Sequence, residues 1–198
     1  EGTIIPLYLV EAAVHRDVDA VPSEEVWGLD VSAAGRDLCA LAKRRGNIMP
    51  EAIKVWRSDD LMVSAGKVVA EYRDSKIKPV QICVDSNGIG AGVAHSLSQS
   101  GLPVHCVNVS ESHSTNDRYL RLRDEMWEKA RAWFYGRDVR IPNDEHFIGE
   151  ISLIKWQPTS NGKMKVVSKV DMKKDIHKSP DRSEAFCFTF MGMGNIIR

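Results

Sequence analysis

The sequence predicts an α/β fold in which helices flank a mixed β-sheet, and three observations support that prediction. The apolar run at residues 26–31 is typical of a buried strand. It breaks at small residues and resumes as a second apolar run at residues 38–42, so a hairpin is expected to fold back on the first strand. Further along the chain, short apolar runs alternate with helical patterns, which indicates strand-helix-strand units. We therefore expect an antiparallel meander followed by parallel strands.

The residues after the first hairpin extend the meander. Residues 47–57 predict a third strand, in which Pro50 indicates a bulge or a sheet edge. Apolar residues then recur at helical spacing over residues 61–72, which predicts a helix capped by Ser58 or Asp59.

The middle of the chain supplies two more strands and a long helix. Residues 79–85 form a short apolar run that ends in an aspartate, and the glycine-rich residues 86–92 lead from it into a helix. Residues 102–109 predict the next strand. Beyond Tyr119, apolar positions at steps of three and four predict a long helix that ends at Gly136.

The two ends of the chain are predicted to be less regular. An extended patch at residues 3–10 and a short helical candidate at residues 11–14 precede the first strand without a clear place in the sheet. Residues 1–24 are therefore expected to be a linker or the tail of an upstream domain. Residues 154–169 predict a β-hairpin around a Ser-Asn-Gly turn, and residues 179–186 are typical of a capped helix start.

Composition excludes several classes of site. Lysine plus arginine equals aspartate plus glutamate at 27 each, so any binding to nucleic acid or membrane must come from local patches. The four cysteines lie far apart in apolar runs without Cys-x-x-Cys spacing. We interpret them as reduced core residues of an intracellular protein, and not as a zinc site. No apolar run approaches the ~20 residues of a membrane span.

Aspartates in two predicted strands are the first candidates for chemistry. Asp30 lies inside an apolar run, where an ionised group is rare unless a cation or another partner neutralises it. Asp85 ends a later strand, which a right-handed crossover would place beside and parallel to the first. Neighbouring strands lie about 4.8 Å apart, so the two carboxylates would repel unless a divalent cation lay between them. Hard oxygen ligands suit magnesium or manganese. Asp181, at the start of the last helix, would complete the site, and Glu184 on the same helix face is a candidate fourth ligand.

Each of these residues also has a structural interpretation. Asp30 can be a buried, hydrogen-bonded aspartate, and residues 85–88 are typical of a turn. Asp181 is typical of a helix cap or a first-turn acid. Taken together, the three aspartates favour a metal site, because two strands that end at one sheet edge and one helix start can bring their carboxylates to the same place.

Four motifs together indicate a family. They are GLDVSAAGRD at residues 28–37, VDSNGIGAGV at residues 84–93, RDEMW at residues 123–127, and Ser168-Lys169 followed by Ser179-Pro180-Asp181-Arg182. In this order they resemble the nuclease domain of the large terminase subunit of tailed phages, the motor-nuclease that packages DNA into procapsids. The family often has a second aspartate where this chain has Glu184, which puts metal binding by position 184 in doubt.

The resemblance implies an RNase H-like mixed β-sheet flanked by helices, with an appended β-hairpin, over residues 25–198. It implies a metal-dependent endonuclease that cuts concatemeric double-stranded DNA with two divalent cations, Mg²⁺ or Mn²⁺. Asp30, Asp85 and Asp181 match the catalytic, metal-binding acids, and Asp30 at the centre is the candidate to bridge both ions. The resemblance also implies an ATPase domain upstream of residues 1–24, the portal and the small terminase subunit as partners, and the host cell cytoplasm as the location.

A basic segment beside the predicted site is the candidate for DNA contact. Residues 155–182 contain eight Lys or Arg against three Asp, an excess of five positive charges. Lys163, Lys165 and Lys169 are the predicted contacts on the hairpin, although a charged hairpin is also typical of a solvated face. No base-reading element is apparent, which suits cleavage with little sequence preference.

Two alternative functions remain open at this point. Another RNase H-like nuclease, such as a Holliday-junction resolvase or a transposase core, needs a similar set of acids. A degenerate copy of the fold would instead serve as a non-catalytic docking module of a packaging motor. Metal-dependent nicking that one aspartate substitution abolishes separates the enzyme from the module.

Overall fold

The computed structural model describes residues 2–32, 37–110, 113, 114, 116–176 and 178–191. Within these residues the chain forms eight strands and seven helices. The strands are β1 Gly2–Thr3, β2 Glu25–Asp30, β3 Cys39–Arg45, β4 Lys54–Trp56, β5 Gln81–Asp85, β6 Val104–Val107, β7 Lys155–Pro158 and β8 Met164–Val166. The helices are α1 Leu7–Val14, α2 Leu61–Asp74, α3 Gly90–Gln99, α4 Leu122–Tyr135, α5 Glu145–Ile151, α6 Lys169–Ile176 and α7 Asp181–Phe188.

Five strands form the central sheet in the order β4-β3-β2-β5-β6. β2, β3 and β4 are antiparallel neighbours, whereas β5 runs parallel to β2 and β6 runs parallel to β5. The predicted meander followed by parallel strands is therefore confirmed. The predicted break at Gly35 lies outside the described residues. A second, smaller sheet has the order β1-β7-β8 and contains the predicted hairpin.

Helices cover both faces of the central sheet, because its inner strands carry apolar side chains on both faces. Trp27 and Leu29 of β2 pack with residues of α2 and α3. Ala42 of β3 and Cys83 of β5 belong to the opposite and larger cluster, which includes residues of α1, α4, α5 and α7. Since side chains alternate along a strand, each strand position is assigned to one of the two faces.

Helix ends follow the sequence patterns with two corrections. α7 has Pro180 at its cap position and no side-chain cap hydrogen bond, so the capped start expected at residues 179–186 is wrong. The side chain of Asp60 accepts a hydrogen bond from the Met62 backbone N at 2.8 Å and caps α2, so the expected cap at Ser58 or Asp59 is wrong. Ser58 accepts a hydrogen bond from the Asp60 backbone N instead, at 3.1 Å, and so supports the true cap from outside the helix. α4 ends at Gly136, as predicted.

The third strand is shorter than predicted. Only β4 pairs with β3, over three residues of the predicted range 47–57. Pro50 cannot donate to a ladder, and Ile48 before it bridges to Arg45 and Arg140 instead. The strand lies at the sheet edge, which is one of the two positions that the proline indicated.

The first residues of the chain pack into the same core as the sheet. β1 pairs with β7, and Ile4 and Ile5 are fully buried. The extended patch expected at residues 3–10 is wrong from Leu7 onward, because a helix begins after Pro6 and buries one of its faces. This packing does not test whether residues 1–24 lead to an upstream motor domain, which stays a prediction.

The segment after the hairpin requires a further correction. The hairpin strands end at Val166, and Lys169 is the first residue of α6 and not a hairpin residue. The Ser168 hydroxyl accepts a hydrogen bond from the Asp171 backbone N at 3.1 Å, which favours a helix start at this point.

The four cysteines, all within the described residues, form no disulfide, as expected. Cys39, Cys83 and Cys187 are buried, but Cys106 is exposed because it lies on β6, the edge strand of the central sheet. The expectation of four core cysteines is therefore wrong for Cys106. Nowhere in the described parts of the chain is a helix long and apolar enough to cross a membrane.

Candidate active site

Asp30 and Asp85 lie at the same end of the central sheet. Asp30 ends β2, and Asp85 ends β5 directly beside it, because the parallel register pairs Leu29 with Val84. Alternation along the strand puts Asp30 on the same face as Gly28, and the register puts Asp85 on that face too. The strand crossover thus brings together two carboxylates that are 55 positions apart in the sequence.

A glycine on β2 allows α7 to cross this face of the sheet closely. A Cβ atom at Gly28 would lie 1.9 Å from the Ala185 carbonyl oxygen and 3.0 Å from the Thr189 backbone N. Both atoms belong to backbone and cannot rotate away, so only glycine fits at this crossing. The crossing places the first turn of α7, which carries Asp181 and Glu184, beside the end of β2.

Lys169 forms ion pairs with two of the predicted acids, Asp30 and Asp181. Its Nζ lies 2.7 Å from Oδ2 of Asp30 and 3.1 Å from Oδ1 of Asp181. Both oxygens therefore lie close to one positive charge. Oδ2 of Asp181 accepts a hydrogen bond from the Leu38 backbone N at 2.8 Å, which ties the start of α7 to the segment before β3.

Asp85 is fixed by backbone donors. One of its carboxylate oxygens, Oδ1, accepts hydrogen bonds from the backbone N atoms of Asn87 at 3.2 Å and Val109 at 3.3 Å. Burial raises the pKa of Asp85, and these two hydrogen bonds oppose the rise because they favour the charged form.

A cavity of about 210 Å³ opens over these acids. It lies between the sheet end, the start of α4, the hairpin and α7. Its lining includes three of the four predicted acids, while Asp181, only 3 % exposed, lies behind Lys169. The lining residues are Asp30, Asp85, Asn87, Val109, Ser110, Arg121, Arg123, Asp124, Lys165, Val166, Ser168, Lys169, Glu184 and Phe188.

Burial and neighbouring charges shift the pKa values of the central pair. Burial raises the pKa of Asp30 from 3.8 to about 7; Lys169 opposes this rise, and Asp181 and Glu184 add to it. Burial acts to lower the pKa of Lys169, but the three carboxylates outweigh it and raise the pKa above its ordinary value. Lys169 is therefore a positive charge held among acids, and Asp30 is an acid whose ionised form is destabilised.

Glu184 is held in a buried ion pair. Its Oε1 accepts a hydrogen bond from the Arg123 guanidinium, and both side chains are at most 10 % exposed. Arg123 also donates to the Val167 carbonyl oxygen at 3.2 Å. Burial acts to lower the pKa of Arg123, but Glu184 outweighs it and raises the pKa. Glu184 therefore faces the cavity with one oxygen already paired, and its role as a fourth metal ligand stays a prediction.

The carboxylates are hard oxygen ligands that suit a divalent cation, but their arrangement in this structure is not that of a metal site. Within the described residues, no group of three or more His, Cys, Asp or Glu side chains is arranged to hold a metal ion. The Lys169 ammonium lies between Asp30 and Asp181, within ion-pair distance of one oxygen of each. Oδ1 of Asp181 is buried and receives no hydrogen bond, although Lys169 is its ion-pair partner. A buried carboxylate oxygen without a hydrogen bond is a suitable ligand for a hard divalent cation.

The basic segment is largely neutralised by internal ion pairs. Lys173 pairs with Asp37 at 2.6 Å, and Lys174 pairs with Asp171 at 2.9 Å. Lys169 pairs with Asp30 in the cluster of predicted acids. The excess of five charges therefore overstates the field that this segment presents to a ligand.

Two hairpin lysines remain available for external contacts. Lys163 and Lys165 form no salt bridge within the described part of the chain. Lys165 lines the acid cavity, whereas Lys163 lines a second cavity of about 460 Å³ between the hairpin and α4. The polar stretch at residues 110–117 borders the acid cavity through Ser110, and its residues 111, 112 and 115 lie outside the described residues.

Sequence reasoning missed the role of Arg123. This residue lies in the first turn of α4, where the positive end of the helix dipole disfavours a cation. An arginine at this position therefore indicates a nearby acid partner, and that signal was present in the sequence. Its partner Glu184 lies 61 positions away, so the pattern alone did not identify the pair.

A known protein resembles part of this chain in sequence. The "Probable terminase, large subunit" of Enterobacteria phage P7 is 29 % identical over 133 residues, which cover 64 % of this chain and 27 % of the relative. The chain thus spans about a quarter of that relative's length. No protein-family model matches the chain.

Solved structures extend the likeness to nearly the whole chain. A mutant nuclease domain of the large terminase subunit of bacterial virus Sf6, solved with manganese and beta-thujaplicinol, superposes with a TM-score of 0.78. It is 19 % identical, and the match covers 98 % of this chain and 100 % of that one. This chain has the fold of a phage large terminase nuclease. The large terminase nuclease of thermophilic phage G20c with bound magnesium gives a TM-score of 0.65 at 9 % identity, over 96 % of this chain and 95 % of that one. The RNase H-like fold expected from the motifs is confirmed.

Proposed function

We propose that this chain is the metal-dependent endonuclease domain of a viral DNA-packaging large terminase subunit and hydrolyses phosphodiester bonds of concatemeric double-stranded DNA. One observation carries the proposal. Acids from two parallel strands and one crossing helix surround a single cavity, and a lysine ammonium lies between two of them in the place of a cation. The manganese and magnesium in the related structures support divalent cations as the group that this chain uses.

Each acid has a separate part in the proposed chemistry. Asp30, Asp85 and Asp181 would hold two divalent cations, Mg²⁺ or Mn²⁺. Asp30 is the candidate to be shared, because it ends the strand beside that of Asp85 and contacts the same ammonium as Asp181. Such cations lower the pKa of an attacking water and stabilise the leaving oxygen of the phosphodiester. The chain itself orients the carboxylates: backbone donors fix Asp85, and the Leu38 backbone N fixes Asp181.

Lys169 is the residue that must move when a cation binds. Its 37 % exposed side chain extends from the first residue of α6, so it can swing away from Asp30 toward solvent. A displaced ammonium beside the cavity is well placed to contact a phosphate oxygen. Lys169 would then first neutralise the acids and later contact the substrate.

DNA would lie across the hairpin side of the site. Lys165 faces the acid cavity, together with Arg121, and Lys163 faces the neighbouring cavity. These groups are suited to phosphates, which carry no sequence information. The proposal therefore includes backbone contact with little base preference.

The packaging context is part of the same proposal. The upstream ATPase motor, the portal and the small terminase subunit would be the partners, and the cytoplasm of the infected host cell would be the location. The likeness to large terminase subunits supports this context.

Cleavage of supercoiled plasmid in manganese tests the catalytic proposal. Asp30→Asn should lower the rate by about 100-fold or more, because the shared ligand is lost. Asp60→Asn makes the same chemical change at the cap of α2, where asparagine caps equally well, and should cleave at the wild-type rate. Equal cleavage rates for Asp30→Asn and the wild type would refute the role of Asp30, and a wild type that does not cleave would favour the docking-module alternative.

Substrate shape separates the proposal from other RNase H-like nucleases. The same assay on linear duplex, four-way junction and RNA–DNA hybrid of matched sequence should show cleavage of the linear duplex. A strong preference for the junction would favour a resolvase and would contradict the packaging role.

A further inference from the structure

The start of α7 lacks a cap of its own. The residue before the helix is Pro180, whose side chain has no oxygen to accept a hydrogen bond from the first turn. The first backbone N–H groups of a helix have no partner within it. In α7 the first N–H that is bonded inside the helix is that of Glu184, which donates to the Pro180 carbonyl oxygen. The turn that carries Asp181 therefore needs acceptors from elsewhere.

Glu150 on α5 supplies these acceptors from another helix. Its Oε2 accepts hydrogen bonds from the backbone N atoms of Arg182 at 3.0 Å and Ser183 at 3.3 Å. Its Oε1 accepts a hydrogen bond from the Arg182 guanidinium at 3.3 Å and lies 3.8 Å from Nζ of Lys178. Glu150 is 1 % exposed, so its carboxylate is shielded from water and bonds to the start of α7.

A second contact fixes α5 against α7. Phe147 lies one turn before Glu150 on the same face of α5, and its ring lies 5.3 Å from that of Phe186 in α7. The two contacts hold α7 at its first turn and at its middle. Glu150 is not among the residues that line the acid cavity.

We propose that Glu150 is a positioning residue that caps α7 from α5 and thereby sets where Asp181 and Glu184 meet Asp30. This inference rests on the proposed metal-dependent function, because its consequence is the geometry of the acids. Glu150 acts through the backbone of α7 and does not touch the metal or the substrate.

Two substitutions separate the hydrogen-bond acceptor from the rest of the side chain. Glu150→Ala removes the acceptor, whereas Glu150→Gln keeps one amide oxygen for the Arg182 and Ser183 N–H groups. Val68→Ala is the matched control, because Val68 is fully buried in α2 in the core cluster on the opposite face of the sheet. It lowers stability without touching α7.

Two measurements are made on each folded variant, well below its unfolding temperature. The first is the manganese affinity from calorimetric titration, and the second is the hydrogen–deuterium exchange rate in the first turn of α7 without metal. Glu150→Ala should bind manganese about tenfold more weakly and exchange at least about tenfold faster. Glu150→Gln should stay within about threefold of the wild type on both measures, and Val68→Ala should match the wild type at this turn.

Three results would overturn the positioning role. They are wild-type affinity and exchange in Glu150→Ala, equal losses in Glu150→Gln and Glu150→Ala, and equal losses in Val68→Ala. A wild type that binds no manganese would refute the proposed function instead. The exchange rates, measured without metal, would still decide whether Glu150 holds α7.

Discussion

Replacing Lys169 by methionine gives the sharpest test of how the acid cluster is balanced. Methionine keeps the apolar stem and removes the ammonium that lies 2.7 Å from Asp30 and 3.1 Å from Asp181. Without a metal, the two carboxylates then repel each other with no cation between them. We expect lower stability in chelator and higher affinity for divalent metal.

The size of both effects follows from the exposure of the ion pair. Removing one partner of a fully buried pair costs about 3–5 kcal/mol. The Lys169 side chain is 37 % exposed, so solvent screening reduces the cost to about 1–2 kcal/mol. An entering cation must displace this same interaction in the wild type. Its removal should therefore raise the affinity for manganese about 5- to 30-fold.

Thermal unfolding in chelator and in graded manganese measures both quantities, because a ligand that binds only the folded state raises the free energy of unfolding by RT ln(1 + [L]/Kd). The matched control is Lys173→Met on the same helix, whose ammonium pairs with Asp37 outside the cluster. The control should stay within about 0.5 kcal/mol of the wild type. Unchanged or weaker manganese binding in Lys169→Met would refute the idea that this ammonium occupies a cation position.

Three further predictions address the crossing helix, the central acid and the hairpin. Gly28→Ala should lower the free energy of unfolding by about 3 kcal/mol, since its Cβ would lie 1.9 Å from a backbone oxygen of α7. Gly66→Ala, which has no atom within 4 Å of the added Cβ, is the control and should not destabilise the protein in the same denaturation assay. For Asp30 the unfolded carboxyl ionises near 3.8 and the folded one near 7, so ionisation opposes folding across this interval. The wild type without metal should therefore lose stability relative to Asp30→Asn as the pH rises from about 4 to about 7; parallel curves would contradict the raised pKa. Replacing Lys163 and Lys165 by alanine should weaken DNA binding and reduce the slope of log affinity against log salt by about 1.8, with manganese affinity nearly unchanged. An unchanged salt slope would show that the hairpin does not hold DNA.

Counting charges along the sequence groups Lys169 with the hairpin lysines, and the structure shows why such a count is limited. The count over residues 155–182 treats every cation as equally available. The fold pairs Lys169 with Asp30 and Lys173 with Asp37, and both of these acids precede residue 40 in the chain. Which charges remain for a ligand is therefore a property of the folded chain.

Local pattern by itself determined the four strands β2, β3, β5 and β6, the long helix and two of the acids in the site. Asp30 and Asp85 were identified because an ionisable residue in an apolar run is costly wherever that run is buried. Their adjacency followed from the handedness of strand crossovers, which holds for almost any α/β chain. These inferences depend on local composition and general chirality, and neither requires contacts that are distant in sequence.

Only the tertiary structure decided how the rest of the site is held together. In the sequence Gly28 is one residue of a predicted strand, and only the structure shows that α7 crosses it closely. Glu184 and Arg123 are partners across 61 positions, and Glu150 caps a helix that begins 31 positions later. The sequence shows each of these residues but does not show which residue it contacts. Burial makes an unpaired polar group costly, but which partner satisfies it depends on the packing of the whole chain.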